Sequence, residues 1–283
     1  MALENFIATI WSARLLENLR KTLVYGQLGV INKDYEGEVS SKGSTVKINS
    51  IGAVTIGDYT KNTDITAPET LSDAQASLVI DQAKYFNFQV DDIDKAQQNP
   101  KIMDSAMAEA AYGLSNVADQ HIAGLYTCVA ASNTIGNDTT PVVPTKSDAY
   151  EYLVDLSIKL DEANVPATGR WAVVPPWFHG LMLKDDRFVK AENYGSTIVL
   201  QNAEVGKAAG FTILKSNNVP NIAGAKYKII AGSPIAITFA EQINETEAYR
   251  PEKRFADAVK GLHLYGAKLI RNTAIAVLTA NKS

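Results

Sequence analysis

The sequence predicts an α+β fold with an N-terminal arm, an extended β-hairpin loop, a long helix lying on an antiparallel sheet, and a mixed α/β region set into the chain. Three observations predict it. Residues 36–60, "EGEVSSKGSTVKINSIGAVTIGDYT", alternate like a ribbon through Val46, Ile48, Val54 and Ile56, yet carry no Leu, Phe, Trp or Met. After Pro100, apolar residues recur at three and four positions over about 28 residues, the period of a helix roughly 40 Å long. Between about residues 145 and 233, short apolar strands are separated by helical turns.

The spacing predicts an amphipathic helix over residues 10–25, with Trp11, Leu15, Leu16, Leu19 and Leu23 opposite Arg14, Glu17, Asn18, Arg20 and Lys21. Gly26 and Gly29 end it. A terminal helix on a glycine-containing arm can bury its stripe against its own domain or a neighbour. The ribbon poses the same question, because two strands with so little apolar bulk are marginal without a further partner. A polar, turn-rich stretch then leads to "LVIDQAKYFNFQV", an alternating strand over residues 78–90. Ribbon and return span roughly 50 residues, against an ordinary connection of about 4 to 6, so the excursion has a purpose.

The long helix carries Ile102, Ala106, Ala110, Gly113, Leu114, Val117, His121, Leu125 and Val129 on one stripe, and Gly113 and Gly124 would admit close neighbours. A second helix starts near Asp148, where "DAYE" has the spacing of a capping box, and buries Leu153, Leu156, Leu160 and Ala163. "NVPATG" stops it. "RWAVVPP", "WFHGLML", "STIVLQ", "FTILKS", "YKIIAG" and "IAITFA" make up the mixed region. Strands through Val259, Leu262 and Leu264, and through Leu269, Ile270, Ile275 and Val277, give the long helix a sheet to lie on.

Composition narrows function. With a net charge of −4 and no cluster of Lys and Arg, a sequence-reading nucleic-acid domain is excluded. One cysteine, Cys128, excludes a disulfide framework and reads as a small buried apolar residue of the long helix. The N-terminus is not a secretory signal, since Glu4, Arg14 and Glu17 interrupt it. No run approaches the roughly 20 apolar residues that span a bilayer, so no membrane partner is expected.

The search for chemistry returns no constellation. His121, His179 and His263 lie far apart, without metal-ligand spacing. His179 is the best catalytic candidate, for an α/β hydrolase-like enzyme, but GxSxG is absent. Gly206 and Lys207 fail as a phosphate loop, with Gln201 at the earlier glycine and Ala208 at the hydroxyl position. Asp91, Asp92 and Asp94 read as a solvated face or a salt bridge at a subunit contact, and "KDDRF" from Lys184 as a surface turn. No catalytic residue, cofactor or metal is expected.

The runs "IWSARLLENLRKTLVYGQL", "NKDYEGEVSSKGSTVKINSIGAVTIGDYT", "IDQAKYFNFQVDDIDKAQ", "VPATGRWAVVPP", "GFTILKSNNVP" and "ADAVKGLHLYGAKLIRNTAIAVL" together resemble the major capsid proteins of tailed bacteriophages of Gram-positive hosts. The resemblance covers nearly the whole chain and rests on packing and loop signatures. It implies the Hong Kong phage capsid fold: an N-terminal arm over residues 1–33, an extended loop over 34–77, a peripheral domain over 78–132 and 236–283, and an axial domain over 133–235. It further implies a non-enzymatic subunit forming hexamers and pentamers of an icosahedral virion shell around double-stranded DNA, assembled in the bacterial cytoplasm. A separate scaffolding protein, a portal protein and nonspecific contact with packaged DNA are the implied partners. Trp11, Leu15, Leu19, Val46, Ile48, Val54 and Ile56 are the expected contacts between subunits. Deleting residues 36–60 is expected to abolish shells and spare the fold. Some relatives weld neighbours through a Lys–Asn isopeptide bond; Lys42 and Lys47 lie in the ribbon, where lysine serves solubility, and no crosslink is expected. An encapsulin-type nanocompartment shell, holding protein cargo, would share the fold.

Overall fold

The computed structural model of the protein describes residues 24–34, 45–51, 56–59, 61–62, 64, 73–91, 101–185 and 206–282. Trp11, Leu15, Leu19, Lys42, Val54, Asp92 and Asp94 lie outside them.

Strands β1 (Thr45–Ile51) and β2 (Asp73–Val79) pair antiparallel, with Ile48 opposite Ala76 and Val46 opposite Leu78. This corrects the sequence reading, which paired Val46 and Ile48 with Val54 and Ile56. Ile56 to Tyr59 are irregular and exposed, Ile56 at 95 %. The pairing with β2 wins because it closes an apolar cluster of Ile48, Leu78, Ile80, Ala240 and Leu264, which glycine-spaced residues 52–60 cannot offer. The single strand expected over residues 78–90 breaks at Ile80 and Asp81, so that Ile80 turns into this cluster before β3 (Gln82–Asp91) begins.

Helix α1 (Lys101–Ala123) lies against a three-stranded antiparallel sheet ordered β10 (Ile237–Tyr249), β11 (Ala256–Leu269), β3. Its buried face runs through Met107, Ala111, Leu114, Ala118 and Ile122, packed partly on Val259, Phe86 and Phe88. That stripe is one residue along from the expected one, about 100° around the helix, and leaves Val117 and Tyr112 exposed. Gly113 and Gly124 face open space within the subunit instead of a close neighbour. The helix gives way at Gly124, a poor helix former, to a tighter 3-10 turn over Gly124–Cys128. Cys128 is therefore exposed, not buried as its expected helical position implied.

The larger sheet runs β4 (Thr134–Ile135), β12 (Ile275–Asn281), β9 (Lys226–Gly232), β5 (Trp171–Val174), β7 (Phe211–Lys215), β6 (Lys207–Ala208), with β8 (Asn221–Ile222) pairing β9. Helices α2 (Ala149–Glu162) and α3 (Pro176–Leu183) flank it. Leu153, Leu156 and Leu160 are fully buried, as their spacing requires. The capping box does not form: Asp148 sits in a helical conformation and accepts from Thr145 Oγ1 at 2.7 Å, while the Ala149 amide bonds the Thr145 carbonyl. The last strand differs from expectation too. β12 pairs with β9 and β4, so residues 275–281 complete this sheet instead of lying under α1. Their run of buried residues, apolar on both faces, suits the middle of a covered sheet.

Candidate subunit interface

Two described segments, residues 24–34 and the paired strands β1 and β2, are each rooted on the body of the subunit. Residues 24–34 are held by Asp119 of α1, one oxygen of which accepts from the amides of Val24 (3.0 Å) and Tyr25 (2.6 Å). Its other oxygen accepts from Asn218 Nδ2 at 2.9 Å, so one buried carboxylate joins arm, long helix and the β7–β8 loop. Burial pushes this carboxyl above its usual range, and the hydrogen bonds from Asn218, Tyr25 and Val24 return only part of that displacement. Tyr25, Val30 and Ile31 are buried in the main core. Asn32 then joins β10, its amide bonding the Ile237 carbonyl (2.8 Å) and its carbonyl accepting from Phe239 (3.0 Å). Lys33 pairs with Glu241 at 2.7 Å and stands over the Phe239 ring.

The ribbon is rooted on the opposite face of β11. Gly266 lies under the end of β2 so closely that a Cβ there would meet the Val79 carbonyl oxygen at 2.4 Å. Lys268 Nζ donates to the Ser77 carbonyl at 2.7 Å, two residues further out. Ile48, expected to contact a neighbour, is instead buried within its own chain, because its β2 pairing turns it onto Leu264 and Ala240. Beyond the root, Ile56 and Tyr59 stand bare. On the same face of the three-stranded sheet, a pocket of about 250 Å³ opens between Tyr85, Asn87, Glu247, Lys260 and Leu262. Tyr85, 77 % exposed, forms its apolar rim, and Lys260 pairs with Glu247 at 2.7 Å and covers the Tyr249 ring.

The histidines differ in their surroundings. His179 is buried in α3, and burial, then Lys215, pushes its pKa down. His121 packs edge-on to Tyr265, with ring centroids 5.4 Å apart, and burial lowers its pKa. His263 lies 3.5 Å from Glu241. Burial pushes the Glu241 carboxyl up, but contact with His263 and the Lys33 ammonium outweigh it, and the net displacement is downward. Burial and Asp81 push Tyr265 up to about 12. Among the described residues, no three of His, Cys, Asp and Glu gather to hold a metal ion. Gly206 and the exposed Lys207 enter a two-residue strand with a tight turn, not a phosphate cradle, and Asp185 is buried instead of lying on a surface turn.

Sequence reasoning missed Asp119, Lys33, Glu241 and Gly266. Asp119 left a signal, a carboxylate four residues from Ser115 and one from Ala118 on the face that proves buried. The others depend on contacts between residues up to 208 positions apart.

No curated protein sequence matches the chain. A solved structure titled "Mycobacterium phage Che8" superposes with a TM-score of 0.74 at 29 % identity, covering 90 % of both chains. The capsid structure of the cyanophage P-SCSP1u superposes at 0.72 with 16 % identity, over 92 % of this chain and 89 % of that one. The mature capsid of bacteriophage PhiM1 superposes at 0.64 with 15 % identity, over 88 % and 87 %. These establish the α+β Hong Kong phage capsid fold expected from the sequence. The family described as phage capsid protein matches residues 75–278, well over half the chain, and the protein therefore belongs to that family of bacteriophage virion proteins.

Proposed function

We propose that this chain is the major capsid subunit of a tailed double-stranded DNA bacteriophage, forming the hexamers and pentamers of an icosahedral shell. The carrying observation is the family match over residues 75–278, with 29 % identity across nine tenths of a phage structure of matching length. The work of such a subunit is assembly: burying area and matching charge at repeated interfaces. In this reading the arm is residues 1–33, the extended loop 34–77, the peripheral domain 78–132 with 236–274, and the axial domain 133–235 completed by β12. Trp11, Leu15, Leu19, Val46, Val54 and Ile56 are the contacts offered to neighbours, and Ile48 is withdrawn from that set. A separate scaffolding protein guides assembly, a portal protein occupies one vertex, and packaged DNA meets the inner surface without sequence preference and with salt-sensitive affinity. The shell forms in the bacterial cytoplasm.

Electron microscopy of the subunit co-expressed with the phage's scaffolding protein tests this. Closed shells with five- and sixfold capsomers are expected, and a subunit that stays monomeric beside its scaffold refutes the proposal. Shells found loaded with a protein instead of DNA in infected cells would replace the genome container with a nanocompartment. Replacing residues 53–71 by a two-residue Asn-Gly turn should spare the fold and abolish shells. The wider deletion of 36–60 would remove β1 and with it Ile48 from the core.

A further inference from the structure

The Lys33–Glu241 ion pair is the rim of a larger buried polar cluster. Glu241 Oε1 accepts from Lys33 Nζ at 2.7 Å, whereas Oε2 accepts no hydrogen bond and lies 3.5 Å from His263 Nε2. His263 is 1 % exposed, and neither ring nitrogen has a hydrogen-bond partner. Behind it stands Tyr265, with ring centroids 5.1 Å apart, and behind that His121 of α1. The Tyr265 hydroxyl and His121 Nε2 are likewise buried without a hydrogen bond. From β3, Lys84 lies opposite His263 in register, and Asp81 precedes that strand and acts on both His121 and Tyr265. A line of polar groups thus runs from the arm across β10 and β11 to the long helix. Buried polar atoms left unpaired are costly, so five together call for an explanation that packing does not give.

We propose that Lys33, Glu241 and His263 form an exchange latch for the N-terminal segment: when residues 32–34 leave β10, His263 takes a proton from solvent and replaces Lys33 as the cation on Glu241. The docked segment is held to β10 by two backbone hydrogen bonds and Lys33, while β10 keeps its full ladder with β11, so release does not unfold the sheet. A buried carboxylate that lost its only cation would be strongly destabilising, and one with a second cation waiting is not. Two discrete pairings of one group supply the two-state element that coupling between distant segments needs. The same cluster touches α1 through Tyr265 and His121, so release of residues 32–34 is felt at the long helix. The proposal deepens the capsid reading by stating how the junction between the arm and the extended loop is held, but its test needs no shell.

Hydrogen exchange at the Asn32 and Phe239 amides of the full-length, unassembled subunit reads the latch directly. Lys33→Met should raise exchange at both at least tenfold while leaving β11 amides unchanged, and should shift the His263 ring nitrogens to the signature of the charged imidazolium. Lys33→Met with His263→Gln should lower the urea midpoint by more than the sum of the single changes, since Glu241 then has no cation. Adding Glu241→Gln should recover most of that loss. Additive single changes, exchange at Asn32 within twofold of wild type in Lys33→Met, or an unchanged His263 ring each overturn the latch. Should the double variant fail to fold, the triple variant still decides, because recovery requires the stranded charge to be the cause. Failure of the subunit to form shells would leave every one of these readings interpretable.

Discussion

Replacing Gly266 by alanine adds one methyl group where the ribbon crosses β11. That carbon would lie 2.4 Å from the Val79 carbonyl oxygen, 3.0 Å from Ile80 Cδ1 and 3.1 Å from Ile80 Cα. Ordinary contact begins near 3.4 Å, so the end of β2 must lift by about 1 Å. The neighbouring hold is Lys268 on the Ser77 carbonyl, two residues or about 6.6 Å away along the strand. A lift of about 1 Å over that lever tilts β2 by about 9°, and at Asp73, four residues or about 13 Å beyond Ser77, the displacement is about 2 Å. Overpacking of this kind costs about 1–3 kcal/mol, because Ile48, Leu78 and Ile80 lose part of their contact with Leu264. A displacement of about 2 Å exceeds what interdigitated side chains tolerate across an interface. Gly266→Ala should therefore lower the urea unfolding free energy of the isolated subunit by that modest amount, yet reduce closed shells in a co-expression assay to a small fraction of wild type. A variant that melts and assembles like wild type would show that the crossing has slack, and the reasoning would fail at its first step.

Three further outcomes follow from the same geometry. Ala209 takes φ 50° beside Gly210 at φ 82° in the two-residue turn joining β6 to β7, where asparagine is the better residue. Ala209→Asn should raise stability by about 0.5–1 kcal/mol in urea unfolding, and a loss would contradict the turn assignment. Gly113 sits on the exposed side of α1 with open space around it, so Gly113→Ala should stabilise the isolated subunit by about 0.5–1 kcal/mol by thermal melting. Destabilisation there would reveal a tight intrachain contact. Asp119 is held above its usual range chiefly by burial, so the folded subunit binds its proton more tightly than the unfolded chain. That contribution is full below the unfolded value and lost as pH rises through the folded one. Wild type should gain stability over Asp119→Asn between pH 7 and pH 4, and a flat or reversed difference in urea midpoints would refute the assignment.

Local rules made the second helix and the short strands legible. Leu153, Leu156 and Leu160 share one face by spacing alone, and "WAVV", "FTILK" and "YKIIAG" are apolar runs of strand length bounded by turn formers. The long helix was legible in existence but not in orientation. Alanines surround its axis, so the stripe through Ala110 and Val117 and the stripe through Ala111 and Ala118 differ little in hydrophobicity, and the sheet beneath decides. The ribbon was legible as an excursion but not in its pairing. Residues 45–51 could alternate against either flanking segment, and the choice of β2 depends on Leu264 and Ala240, about 200 residues downstream. The anchors were the least legible, since Lys33 and Glu241 are ordinary surface residue types until the fold buries them together.

What the two anchors share is a root built from buried side chains. The ribbon buries Ile48 and Leu78 and threads its backbone over Gly266, yet leaves Ile56 and Tyr59 in solvent. The arm fixes Tyr25, Ile31 and Asn32 through buried side chains and backbone bonds. Association must otherwise meet the entropy of ordering flexible segments, at about 0.5–1.5 kcal/mol for each immobilised side chain. A root ordered in the isolated subunit removes that cost for every residue it holds. The scarcity of large apolar groups in residues 36–60 then has a second consequence. In the proposed shell, a segment this poor in apolar residues binds weakly at any one contact, and binding accumulates only when several contacts close at once.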